Sequence, residues 1–169
     1  MSDHLTVFIV DDDPAVRDAL SLLLGIQDYR VAVFGDAESF LKAYKSEWRG
    51  CLVLDIRMPG MDGLTLQKHL AQLGSELPVI IMTGHGDVAS AREAFRAFAV
   101  DFLEKPLGRD KVLVAVKNAL EQADLRHENE RLRELVGQAP KMIGPGAAFQ
   151  RAVEQATLAA RSDARVLLI

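Results

Sequence analysis

The chain has 169 residues, 49% of them hydrophobic and 26% charged, which suits one globular domain of ordinary size with an appendage. Its formal charge of −4 and the lack of a dominant basic stripe argue against a nucleic-acid-binding surface as the main feature. A single cysteine, Cys51, excludes an intrachain disulfide and reads as a buried, inert thiol in a reducing cytoplasm. No apolar stretch reaches membrane-spanning length, and Met1-Ser-Asp-His lacks the features of a signal peptide, so a soluble, cytoplasmic protein with no membrane partner is expected.

Apolar strands and amphipathic helices alternate five times, the pattern of an α/β doubly wound parallel sheet. Val7 to Val10 make the first strand, which ends in Asp11-Asp12-Asp13. Pro14 suits the first turn of a helix capped by Asp13, with Val16, Leu20, Leu23 and Leu24 on one face and Gly25 as its stop. Val31 to Phe34 form the second strand, and the helix after Asp36 is expected to bury Phe40, Leu41 and Tyr44. Cys51 to Leu54 are an unbroken apolar run, as expected for a strand buried on both faces. That run stops at Asp55, and Met58-Pro59-Gly60 signal a turn. The next helix starts near Asp62 and is expected to bury Leu66, Leu70 and Leu73 before Gly74 ends it. Pro78 to Met82 are the fourth strand, tipped by Thr83-Gly84-His85-Gly86. A helix capped by Asp87 follows, with Val88, Ala91, Phe95 and Phe98 on one stripe. Val100 to Leu103 make a short fifth strand closed by Glu104-Lys105-Pro106.

The last helix of the unit does not stop where the domain should. From Arg109 to Val136 there is no Pro or Gly, a run of about 28 residues or about 40 Å of helix. Val112, Leu113, Val116 and Leu120 can dock on the sheet. Beyond them Leu125, Asn129, Leu132 and Val136 follow a 4-3-4 spacing among charges, the pattern of a short coiled-coil seam in a homodimer, with Asn129 fixing register. The alternative is a solvated surface helix. Gly137, Pro140, Gly144, Pro145 and Gly146 mark a linker, Phe149, Val153, Ala156 and Ala160 one more helix, and Arg165 to Ile169 a buried strand at the start of a further domain.

Chemistry concentrates at the strand ends. In a sheet ordered 2-1-3-4-5, strands one and three flank the point where ligands bind, so Asp11, Asp12 and Asp55 share one pocket with Thr83 and Lys105 beside it. Three carboxylates so close repel each other unless a cation sits among them, and hard oxygen ligands open to water favour Mg²⁺. Asp55 can then attack a phosphorylated donor, with Lys105 supplying a compact cation and Thr83 a hydroxyl donor to the phosphoryl oxygens.

Val10-Asp11-Asp12, Asp55-Ile-Arg-Met-Pro-Gly-Met-Asp-Gly63, Thr83-Gly-His-Gly-Asp87 and Asp101-Phe-Leu-Glu-Lys105-Pro106 together resemble the receiver domain of bacterial two-component response regulators, over about residues 5 to 120. The resemblance implies the flavodoxin-like fold, phosphorylation of Asp55 by a sensor histidine kinase, and Mg²⁺ held by Asp12, Asp55 and the backbone carbonyl of Arg57, with Asp11 acting largely through water. It further implies that Thr83 is the switch hydroxyl, Phe102 the switch aromatic and Lys105 the phosphate-contacting cation, with a cis bond at Lys105-Pro106. Such a domain is a regulatory phosphoacceptor rather than an enzyme. One departure is Phe98-Ala99, where many receivers have Gly-Ala; it puts the detail of the signalling face in doubt.

His127 to Leu135 look like the helical linker of sigma-54 activators, and Met142 to Gly146 together with Ser162 to Ile169 look like the first elements of their AAA+ ATPase domain. The expected organisation is a receiver at 1–120, a coiled-coil linker at 121–138 and the truncated start of an ATPase domain at 139–169, as in regulators of nitrogen metabolism and dicarboxylate transport. Sigma-54 RNA polymerase and DNA would then be met through domains outside this chain. Three rival readings are a receiver joined to a helix-turn-helix DNA-binding output, a stand-alone receiver, and a haloacid-dehalogenase-type phosphatase. The last places its general acid two residues after the nucleophile, where this chain has Arg57.

Overall fold

Alternation along the strands dictates the layering. In the computed structural model, which describes residues 5–84 and 99–137 with side chains as far as Arg133, β1 (Thr6–Val10) turns Val7 and Ile9 to one face of the sheet and Phe8 and Val10 to the other. β3 (Gly50–Asp55) divides Cys51 and Val53 from Leu52 and Leu54 in the same way. A sheet that is apolar on both faces must be covered on both. α1 (Pro14–Gly25) and α4 (Arg109–Gly137) cover the first face with Leu20, Leu24, Val112 and Val116. α2 (Ala37–Ala43) and α3 (Gly63–Gln72) cover the second with Phe40, Leu66 and Leu70. Burial pushes the Cys51 thiol up to about 12, so it stays protonated and inert.

With β2 (Arg30–Phe34), β4 (Val79–Thr83) and β5 (Ala99–Glu104), the sheet is wholly parallel and ordered β2-β1-β3-β4-β5. This is the flavodoxin-like, doubly wound arrangement expected above. Its register makes the site: Val10 pairs with Leu54, Asp55 with Met82, and Thr83 with Glu104. Asp55 and Thr83 therefore end their strands, Asp11 and Lys105 lie one step beyond theirs, and Asp12 two steps beyond β1.

Three helices start as the sequence indicates. Asp13 accepts from the Ala15 N–H at 2.8 Å, Asp36 from the Ser39 N–H at 2.6 Å and Asp62 from the Thr65 N–H at 2.7 Å. Hydrogen bonding to the backbone and hydroxyl of Thr65 also holds the Asp62 carboxyl below its ordinary value. Gly74, at φ +72, closes α3 with Ser75 N–H donating to the Leu70 carbonyl, as expected of a left-handed glycine cap.

Gly25 is the last residue of α1, as expected, but the left-handed residue beyond it is Asp28 at φ +59, with Tyr29 N–H bonding the Leu24 carbonyl. A short polar side chain tolerates that conformation, so aspartate serves where glycine usually does. Leu73 is exposed rather than buried, because it follows the last helical residue of α3 where the backbone turns away at Gly74; Leu77 is the buried leucine of that connection.

The helix expected at Asp87, Val88, Ala91, Phe95 and Phe98 lies outside the described residues, as do the linker, helix and strand expected beyond 137. By internal contacts the chain falls into two units, Met1–Glu130 and Arg131–Ile169. Among the described residues no helix is long and apolar enough to cross a membrane.

Candidate functional site

β1 and β3 end side by side, and this brings the acids together. One carboxylate oxygen from each of Asp11, Asp12 and Asp55 lies within 4.8 Å of the others. The two acids that follow β1 differ sharply: Asp11 is fully buried and Asp12 is exposed. Asp11 is held from three directions. Its Oδ1 accepts from the Asp13 N–H at 2.8 Å, its Oδ2 from the Lys105 ammonium at 2.8 Å, and its carbonyl from the Arg17 guanidinium at 2.6 Å.

Asp55, only 5% exposed, faces the same ammonium with Oδ2 at 3.2 Å from Lys105 Nζ. Burial raises the Asp55 pKa above the ordinary carboxylate value. The Lys105 charge opposes that rise, the Asp11 charge adds to it, and a hydrogen bond from the Arg57 backbone N–H lowers it again. Lys105 shows the mirror effect: burial would depress its pKa, but the hydrogen bond to Asp11 and the two neighbouring carboxylates carry it above the ordinary lysine value. One cation thus bridges two of the three acids, leaving a net negative pocket open to solvent at Asp12.

β4 ends on Thr83, and β5 carries Phe102 two residues before its end. Thr83 is buried, and its hydroxyl donates to the Gly84 carbonyl at 3.0 Å rather than into the acidic pocket. Phe102, on the edge strand beside Ile81, is 44% exposed. The Lys105-Pro106 bond is cis, and Lys105 N–H donates to the Thr83 carbonyl at 2.8 Å, which ties the β4 and β5 ends together. Leu125, Asn129 and Leu132 are all exposed on α4, Leu125 at 72% and Leu132 at 49%; the side chain of Val136 lies outside the described residues.

The donors fit a hard divalent cation. They are oxygens throughout, three carboxylates converge, and Asp12 leaves the pocket accessible to water, as Mg²⁺ requires when it keeps part of its hydration shell. Sequence reasoning missed Arg17, one turn into α1, whose only signal was a basic residue shortly after an acidic run. It also passed over Gly63 beyond its place in a motif: a Cβ there would lie 2.1 Å from the Asp55 carbonyl oxygen, so only glycine lets α3 start directly behind the β3 end.

Comparison with known proteins agrees with this geometry. Residues 7–117 match the family described as Response regulator receiver domain. The chain is 42% identical over 170 residues to the C4-dicarboxylate transport transcriptional regulatory protein DctD of Pseudomonas aeruginosa, covering 96% of this chain and 36% of that protein. It is 40% identical over 139 residues to the transcriptional regulatory protein FixJ of Bradyrhizobium diazoefficiens, covering 82% of this chain and 68% of that one. Among solved structures, the response regulator StyR superposes with a TM-score of 0.79 at 34% identity, over 92% of this chain and 77% of that one. The chain therefore spans little more than a third of the length of the dicarboxylate-transport relative.

Proposed function

The chain belongs to the response regulator receiver domain family, and on that premise we propose that Asp55 accepts a phosphoryl group from a sensor histidine kinase. The observation that carries this reading is the convergence of Asp11, Asp12 and Asp55 within 4.8 Å, with Lys105 bridging the two buried acids. An Asp55 oxygen forms the new O–P bond as the donor's P–N bond breaks, giving an acyl phosphate. Burial raises its pKa and so leaves the anion weakly stabilised, and the Lys105 charge opposes that rise. Asp12, Asp55 and the Arg57 carbonyl would hold Mg²⁺, with Asp11 acting through water, and the ion supplies positive charge to offset the phosphoryl oxygens. Lys105 then turns from the carboxylates to a phosphoryl oxygen. The Thr83 hydroxyl exchanges the Gly84 carbonyl for another, and Phe102, exposed in this structure, moves into the space that Thr83 leaves.

The output reading follows α4. Its exposed Leu125, Asn129 and Leu132, with Val136, form the seam of a homodimer whose arrangement responds to phosphorylation. The resemblance of residues 127–135 and 142–169 to sigma-54 activators, and the alignment with the dicarboxylate-transport regulator over 96% of this chain, support control of a transcription-activating ATPase. Incubation with radiolabelled acetyl phosphate and Mg²⁺ tests the acceptor. Wild type should take up hydroxylamine-sensitive label and Asp55→Asn none; undiminished label on the variant removes Asp55 from the role.

A further inference from the structure

Between β3 and α3 the chain makes a seven-residue loop, 56–62, which carries the Arg57 carbonyl. Both ends of this loop are well anchored. Ile56 N–H donates to the Met82 carbonyl at 3.1 Å, and Ile56 and Met58 are buried. Gly63 N–H donates to the Ile56 carbonyl at 2.9 Å, and Asp62 caps α3. The middle of the loop is gripped from a different element. Glu38, in the first turn of α2, accepts the Met61 N–H at 3.1 Å through Oε1, across 23 positions of sequence. Gly60 permits this approach: it sits at φ +77, and a Cβ there would come within 3.0 Å of the same carboxylate oxygen.

A side chain can be moved by rotating χ angles, but a backbone carbonyl is aimed only by the peptides around it. From these contacts we infer that Glu38 is a positioning residue, the brace that holds loop 56–62 so that the Arg57 carbonyl faces the acidic pocket. The inference rests on the Mg²⁺-dependent phosphoacceptor reading of that pocket. Glu38 never touches the reacting atoms; it acts through the loop. A residue confined to stabilising the start of α2 would also place an acid in the first turn, where it complements the helix dipole. That role makes no demand on the Met61 amide, which is what separates the two.

The experiment uses the whole chain with Glu38→Ala and Glu38→Gln, after thermal melting shows both folded. In metal-free protein, amide hydrogen exchange at Met61 should quicken in Glu38→Ala and stay near wild type in Glu38→Gln, whose amide oxygen still accepts. Isothermal titration with MgCl2 should show affinity weakened about tenfold in Glu38→Ala, the low end for groups that orient a ligand from behind. Glu38→Gln should lie within about twofold of wild type, as expected where an acceptor rather than a charge is needed. At saturating Mg²⁺ the acetyl phosphate labelling rate of Glu38→Ala should return to that of wild type. Unchanged Met61 exchange in Glu38→Ala overturns the inference, as does a Glu38→Gln affinity as low as that of Glu38→Ala, which would mark a simple charge effect. A wild type that binds no Mg²⁺ overturns the metal reading instead, and Met61 exchange then decides the brace by itself.

Discussion

Replacing Lys105 by methionine keeps the apolar stem and removes the charge that bridges Asp11 and Asp55. At 2.8 and 3.2 Å the two attractions amount to about 6 and about 5 kcal/mol with an effective dielectric of about 20. Desolvation cancels much of this, and stripping one partner from a buried pair generally costs 3–5 kcal/mol, roughly. The Lys105 side chain keeps 27% of its exposure, so water screens part of the loss and the lower figure, about 3 kcal/mol, is expected. For a domain of this size that is roughly a 10 °C drop in melting temperature. Circular dichroism melts in EDTA at pH 8 should show it. The deficit should shrink toward pH 5, because Asp55 without its lysine holds a proton more readily still. Added Mg²⁺ should then stabilise the variant more than wild type, since the ammonium no longer occupies the oxygens the ion needs; a hundredfold excess over Kd is worth about 2.7 kcal/mol. A variant that melts with wild type in EDTA, or gains less from Mg²⁺, refutes this account of the pocket.

Asp55→Asn should melt above wild type in EDTA at neutral pH. The folded-state pKa of Asp55 is raised, so its contribution to stability is intact below the ordinary carboxylate range and is lost as pH rises through the folded value. The difference should vanish near pH 4, and a pH-independent gap would contradict burial as the cause. Gly63→Ala drives a Cβ against the Asp55 carbonyl, and because backbone cannot swing aside the cost should be about 3 kcal/mol, seen as a lower urea midpoint together with slower phosphorylation. An unmoved midpoint would show that the β3 end yields freely. Leu132→Asp puts a charge in the α4 seam and should shift sedimentation from dimer to monomer at micromolar concentration; an unchanged dimer would leave α4 as a solvated strut.

Much of this molecule is written in short-range pattern. The buried strands follow from apolar runs, the starts of α1, α2 and α3 from Asp13, Asp36 and Asp62, and the end of α3 from Gly74, because caps and turns are satisfied by hydrogen bonds between residues two to five apart. The alternation of strand and helix points to a doubly wound parallel sheet, and the order 2-1-3-4-5 expected of it, which the structure has, brings Asp11, Asp12 and Asp55 to one end. Other features were decided by packing alone. Asp11 and Asp12 are identical in type and adjacent, yet the folded chain buries one against Lys105 and leaves the other exposed. Asp28 rather than Gly25 turns left-handed because the return of Tyr29 to the Leu24 carbonyl sets where α1 closes. Arg17 reaches the Asp11 carbonyl, and Glu38 the Met61 amide, only once α1 and α2 lie against the sheet. A hydrogen bond across 23 residues leaves no periodic trace in a sequence, since its partners are chosen by the distance between elements and not by their spacing along the chain.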